Sequence, residues 1–199
     1  MIIIIDYHAG NLRSVQKALQ SVGADARIAS SPNELRPADK VVFPGVGAFG
    51  KAMEALEQLK YIDAIHEFIK SGRPFLGICL GLQLMFESSE ENPGVKGLSL
   101  LPGHVKRFPD TLKVPHLGWN VLKQTRTSPL WKDIPSDSYF YFAHSYYIHP
   151  EEREIVVGET EYGENIEVAI RYENMYGLQF HPEKSQHMGL QVLKNFVEL

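Results

Sequence analysis

The chain has 199 residues and a mass of 22.5 kDa; 44% of its residues are hydrophobic and 22% charged, as expected of one globular domain spanning 1–199. Lys and Arg total 20 against 24 Asp and Glu, a net charge of −4 with no long basic run, so neither nucleic acid nor a membrane is an expected partner. A single cysteine excludes an intrachain disulfide and fits a reducing, cytoplasmic setting.

The opening run Met1-Ile2-Ile3-Ile4-Ile5-Asp6 is apolar but short, with no positive leader and no small-residue cleavage site. It predicts a buried parallel strand over 2–5. No stretch approaches the ~20 apolar residues of a membrane span. Leu12, Val15, Leu19 and Val22 repeat at helical spacing and stop at Gly23, a C-cap. Strands are predicted over 26–29 and 40–43, the second halted by Pro44-Gly45. Phe49, Met53, Leu56 and Leu59 mark one helix. Ile62, Ile65, Phe68 and Ile69 mark another, closed by Gly72. A strand over 74–78 and a helix over 80–87 follow. The alternation predicts an α/β fold, a mostly parallel central sheet flanked by helices.

The second half reads differently. Residues 88–96 form a polar loop without an evident role, and 98–121 are rich in Gly, Pro and short apolar runs. Strands over 139–142, 155–159, 166–171 and 175–179, with a turn at Tyr162-Gly163-Glu164-Asn165, predict antiparallel additions in the C-terminal half. Met188, Val192, Leu193 and Phe196 share one face of a closing helix over 185–196. There is no internal repeat and no low-complexity segment.

The only cysteine sits in Gly77-Ile78-Cys79-Leu80-Gly81-Leu82-Gln83, directly after an apolar run. Strand, sharp Gly-flanked turn and helix make the layout of a nucleophile elbow with sulfur in place of oxygen. The helix N-terminus favours thiolate over thiol. A lone cysteine in an apolar run is equally compatible with a small buried core residue. About a hundred residues downstream, Gln179-Phe180-His181-Pro182-Glu183-Lys184 ends another apolar strand. On an extended chain residues i and i+2 face one side, roughly 6.5–7 Å apart. Glu183 can then hold one ring nitrogen of His181 and leave the other free as a base. By itself this pair reads as two ordinary surface polar residues at a strand end. Joined to the elbow, it favours Cys79 as nucleophile, His181 as base and Glu183 as its orienter.

Together these motifs resemble the class I glutamine amidotransferase family. Four further segments narrow the likeness to glutaminase subunits that serve a cyclase in histidine biosynthesis. They are Asp6-Tyr7-His8-Ala9-Gly10-Asn11-Leu12-Arg13-Ser14-Val15, Pro44-Gly45-Val46-Gly47-Ala48-Phe49, Pro115-His116-Leu117-Gly118-Trp119-Asn120 and Phe142-Ala143-His144-Ser145-Tyr146-Tyr147. The resemblance spans essentially the whole chain. It implies hydrolysis of L-glutamine to glutamate and ammonia through a cysteine thioester, with the ammonia passed to a cyclase partner in a heterodimer. It implies no cofactor and no metal.

The residues themselves offer the Leu80 N–H as one oxyanion donor, whereas Pro44-Gly45-Val46-Gly47 taken alone reads as a plain Pro-Gly turn. The resemblance makes that turn an oxyanion strand, with the Val46 or Gly47 amide donating. It also implies glutamine contacts from Gly45, Gln83, His144, Ser145 and Tyr146, and from Glu91 toward the substrate ammonium. Residues 139–147 could equally be a plain aromatic strand. By the same resemblance Asn11, Arg13, Trp119, Asn120, Tyr141 and Lys184 face the partner. Trp119, in a Gly-Trp-Asn turn, is either an exposed anchor or a core tryptophan. His8 stands where the family pattern has a smaller residue. Two other readings share these motifs: a cysteine hydrolase acting on another acyl group, and a catalytically silent subunit. The His-Pro-Glu segment with Gln83 opposes the first, and three occupied triad positions oppose the second.

Overall fold

A computed structural model describes all residues from Met1 to Leu199. The chain is an α/β fold built on one branched sheet of twelve strands. β1 (Ile2–Ile4), β2 (Ala26–Ile28), β3 (Lys40–Gly45) and β4 (Phe75–Cys79) lie parallel in the order β2-β1-β3-β4. The isoleucines alternate: Ile2 and Ile4 enter one core cluster, Ile3 and Ile5 the other, so both faces are covered. α1 (Leu12–Ser21) and α5 (Gln186–Val197) cover the first face; α2 (Phe49–Gln58) and α3 (Tyr61–Lys70) cover the second.

The remaining strands complete the sheet. β5 (Ser88–Ser89) pairs with β6 (Gly103–Arg107), and β6 with β9 (Tyr146–Pro150). β7 (His116–Gln124) pairs antiparallel with β8 (Ser138–His144) and with β10 (Val156–Tyr162). β11 (Glu164–Tyr172) pairs with β10 and with β12 (Met175–Leu178), which returns parallel beside β4. The register Leu178↔Ile78 puts the end of β12 next to the elbow. Two motifs a hundred residues apart thus meet at the C-terminal ends of two neighbouring strands in the middle of the sheet.

Four sequence expectations need correction. β3 does not stop before Pro44-Gly45 but runs through them, with Gly45 paired to Cys79. β1 flanks β3 only as far as Val42, so the missing Pro44 N–H breaks no ladder bond there. The helix expected over 80–87 is one turn, α4 (Leu80–Gln83). The carbonyls of Leu84, Met85 and Phe86 are taken by the amides of Leu98, Leu100 and Ser99 instead. A Cβ on Gly97 would overlap the Phe86 carbonyl oxygen, so this crossing needs glycine. The strand expected over 175–179 ends at Leu178, short of His181. Residues 98–121, rich in Gly and Pro, hold β6 and the first part of β7, so Trp119 lies in a strand and not in a turn.

Candidate active site

Cys79 ends β4 with φ 53° and ψ −109°, the strained backbone of an elbow. Its neighbours explain why glycines flank it. A Cβ at Gly81 would overlap the Phe43 carbonyl oxygen, and one at Gly77 would stand 2.9 Å from the Leu82 backbone. The helix that follows is a single turn, so its dipole contributes less than a longer helix would.

His181 and Glu183 come together by a turn, not by an extended strand. Pro182–Lys184 form a 3-10 turn, and His181 Nδ1 donates to Glu183 Oε1 at 2.9 Å. The His181 N–H donates to the Tyr141 carbonyl at 2.9 Å, and the His181 carbonyl accepts from Ser185 Oγ at 2.7 Å. Ser185 Oγ in turn accepts the Tyr141 N–H at 2.9 Å, closing a bracket about the histidine. Burial pulls the His181 pKa down. Interaction with the Cys79 sulfur and with the Glu183 carboxylate outweighs it and pushes the value up to about 10. The ring therefore keeps its proton at neutral pH and stands as an imidazolium.

Beside Cys79 lies a cavity of about 320 Å³. Val46, Gly47, Leu80, Gln83, Glu91, His144, Ser145 and Tyr146 line it, together with Pro115 and Ala143, which the sequence did not flag. Gly45 does not reach the cavity wall; it is the buried end of β3, opposite Cys79. The Val46 and Gly47 amides have no hydrogen-bond partner within the chain, and Gly47 has φ +109°. Glu91 accepts the Phe49 N–H at 2.8 Å through one oxygen, capping α2, which leaves the other oxygen available. Beneath the turn, the Tyr7 hydroxyl is buried without a partner and lies where a Cβ on Gly45 would stand. Burial, with the nearby Cys79, raises its pKa far above the usual phenol range.

A second set of contacts was not legible in the sequence. His144 Nδ1 meets the Tyr146 carbonyl at 2.8 Å, and a carbonyl only accepts, so Nδ1 carries the proton. Burial holds His144 near pKa 3 and His116 near 4, so both rings are neutral at pH 7. His144 Nε2 then accepts from His116 Nδ1 at 2.9 Å, and His116 Nε2 accepts from Asn120 Nδ2 at 3.2 Å. Asn120 also donates to the Glu161 carbonyl at 2.9 Å. Asn120, expected at a partner surface, is thus engaged inward.

The other residues expected there lie on or near one outer surface. Trp119 is 46% exposed and sits opposite Tyr141 across β7 and β8, with ring centroids 6.0 Å apart. Lys184 Nζ lies 5.8 Å from the Tyr141 ring centroid. Arg13 is exposed on α1, which packs beside the Pro182–Lys184 turn, and Asn11 is at the start of that helix. Leu117 and Tyr139 are exposed apolar residues on the same two strands and are more exposed than Trp119. Alternation along β7 and β8 could have flagged them. His8 is exposed with φ 66°, its N–H donating to Asp6 Oδ1 at 2.9 Å.

Comparison with known proteins bears on the whole chain. The profile of the family described as Glutamine amidotransferase class-I matches residues 3–199. The chain is 54% identical over 198 residues to the imidazole glycerol phosphate synthase subunit HisH of Moorella thermoacetica, covering 100% of this chain and 94% of that protein. It is 49% identical over 199 residues to the same-named subunit of Methanocaldococcus jannaschii, with 100% of both covered. Among solved structures, a chain of PurLQS from Thermotoga maritima superposes with a TM-score of 0.80 at 17% identity, covering 99% of this chain and 97% of that one. At such identity the likeness concerns the fold alone. No helix is long and apolar enough to cross a membrane.

Proposed function

The chain belongs to the class I glutamine amidotransferase family, and on that premise we propose that it is the glutaminase subunit of an imidazole glycerol phosphate synthase. It hydrolyses L-glutamine and hands the ammonia to a cyclase subunit, which builds the imidazole ring in histidine biosynthesis. The names of its relatives call for a partner subunit. A heterodimer with the cyclase, in the cytoplasm, is the reading we adopt, with 1–199 as a single catalytic domain and no cofactor.

Cys79 is the nucleophile. Its sulfur attacks the side-chain amide carbon of glutamine and the carbonyl oxygen becomes an oxyanion. The Leu80 N–H and the unpartnered amide of Val46 or Gly47 receive that charge. The C–N bond breaks as His181 gives its proton to the leaving nitrogen, releasing ammonia and leaving a thioester. Water attacks the thioester, His181 takes a proton from it, and the sulfur leaves as glutamate is released. Glu183 holds the ring through Nδ1 so that Nε2 does this work. Gln83, Glu91 and the segment from His144 to Tyr146 hold the substrate. The observation that carries this reading is the elbow cysteine beside a buried His181–Glu183 pair at 2.9 Å.

The decisive experiment replaces the sulfur. Cys79→Ala should abolish glutamine hydrolysis, while its complex with the cyclase should still close the ring from free ammonia. An electrophilic glutamine analogue should label Cys79 alone. Full glutaminase activity in Cys79→Ala would end the thioester reading.

A further inference from the structure

Gln179 is wholly buried, and no step above uses it. Its Nε2 stands 3.6 Å from Cys79 Sγ, within reach of an N–H···S hydrogen bond, and its Oε1 stands 3.1 Å from Gln83 Nε2. We propose that Gln179 is a hydrogen-bond donor that aims the Cys79 sulfur for attack, and that Gln83 is the positioning residue that keeps the donor turned that way. The proposal rests on Cys79 being the nucleophile.

The two ends of a glutamine amide have the same shape, so its neighbours decide which end points where. Here a carbonyl decides. The Tyr146 carbonyl can only accept, so Gln83 must turn Nε2 to it, at 2.9 Å. The second N–H of that nitrogen faces Gln179, which must answer with Oε1. The Gln179 Nε2 is then left for the sulfur. A flipped Gln179 would set oxygen against sulfur and nitrogen against nitrogen, losing both contacts. The Tyr146 carbonyl is itself pinned by His144 Nδ1–H, so the orientation is fixed from outside the catalytic pair.

A fixed donor holds the sulfur in one orientation, and its bond is strongest while the sulfur carries negative charge, because charge-assisted hydrogen bonds are the stronger ones. It complements His181: the imidazolium supplies both charge and proton, whereas the amide supplies only a fixed donor. When the thioester forms, the sulfur loses its charge and the bond weakens. When the thioester breaks, the donor receives the departing sulfur.

Gln179→Met keeps length and apolar volume but removes the donor. In the complex with the cyclase, kcat for glutamine should fall roughly tenfold with KM changed less than about threefold. The rate of Cys79 capture by iodoacetamide at pH 7 should fall by a similar factor, about tenfold. Alkylation at the wild-type rate overturns the proposal, and so does a rise in KM with kcat intact. Should Gln179→Met fail to fold, the wild-type chain decides. The Gln179 side-chain amide protons should shift in its NMR spectrum when Cys79 is alkylated, and unchanged shifts overturn the proposal. Alkylation reads the sulfur without glutamine. A negative result here therefore leaves Cys79 as nucleophile, whereas an active Cys79→Ala removes the reading beneath it.

Discussion

His181 Nδ1 and Glu183 Oε1 stand 2.9 Å apart inside one 3-10 turn, with side chains only 4% and 2% exposed. Proline at the first position of the turn fixes the backbone that brings them together. The second carboxylate oxygen of Glu183 has no partner, so the histidine is what compensates this buried charge. His181→Ala should lower kcat by about 10²–10⁴. Glu183→Gln should cost less, because the amide oxygen can still accept from Nδ1. Steady-state glutaminase assays in the complex decide. Wild-type turnover in Glu183→Gln would remove the carboxylate from the orienting role.

The two kinds of buried histidine should give opposite pH slopes. The His181 value is raised to about 10, so its contribution to stability is complete below its unfolded value, near 6.5, and is lost as pH rises through about 10. The His116 value is depressed to about 4, so its contribution is present above 6.5 and is lost as pH falls toward 4. Denaturant unfolding across this range should show the wild type losing its margin over His181→Gln on the alkaline side. Its margin over His116→Gln should shrink on the acid side. Parallel curves would show that neither ring changes charge on folding.

Gly81→Ala should both destabilise the chain and disable the elbow. The added Cβ overlaps the Phe43 carbonyl oxygen, and neither β3 nor the elbow backbone can yield cheaply. A cost of about 1–3 kcal/mol is expected, read as a lower melting temperature, with glutaminase activity falling further than stability explains. Wild-type activity in this variant would show that the elbow tolerates displacement.

Tyr7→Phe should leave stability unchanged or raise it by up to about 1 kcal/mol. The hydroxyl is buried and unpartnered in this structure, so its removal relieves a desolvation penalty. A clear loss of stability would mean that the hydroxyl finds a partner in solution, through movement of the Gly45-Val46-Gly47 turn.

Trp119→Ala and Lys184→Ala test the outer face. Truncating an exposed aromatic anchor at an interface should weaken cyclase binding about 30-fold, which corresponds to about 2 kcal/mol. Lys184→Ala should act mainly through coupling, raising the share of ammonia that escapes to solvent. The isolated chain should turn over glutamine more slowly than the complex. If neither substitution changes affinity, stimulated turnover or ammonia loss while the fold is intact, the cyclase docks elsewhere.

The sequence alone determined the strand-helix alternation, the buried parallel core and the elbow. Those depend on local periodicity and on glycines whose steric reasons are short-range, and the chain states them within a few residues. The pairing of Cys79 with His181 and Glu183 was also legible, because each half is a compact motif. Tertiary structure decided what those motifs rest on. α4 stops after one turn because residues 98–100 claim the carbonyls a longer helix would use. β6 and the first part of β7 went unseen because their Gly- and Pro-rich segment has little alternation and becomes strand only by pairing. The Asn120–His116–His144 chain and the donor orientation of Gln179 had no sequence signal at all. Their hydrogen bonds join residues 2 to 100 positions apart, and the identity of each donor follows from a carbonyl that only the folded sheet brings into reach.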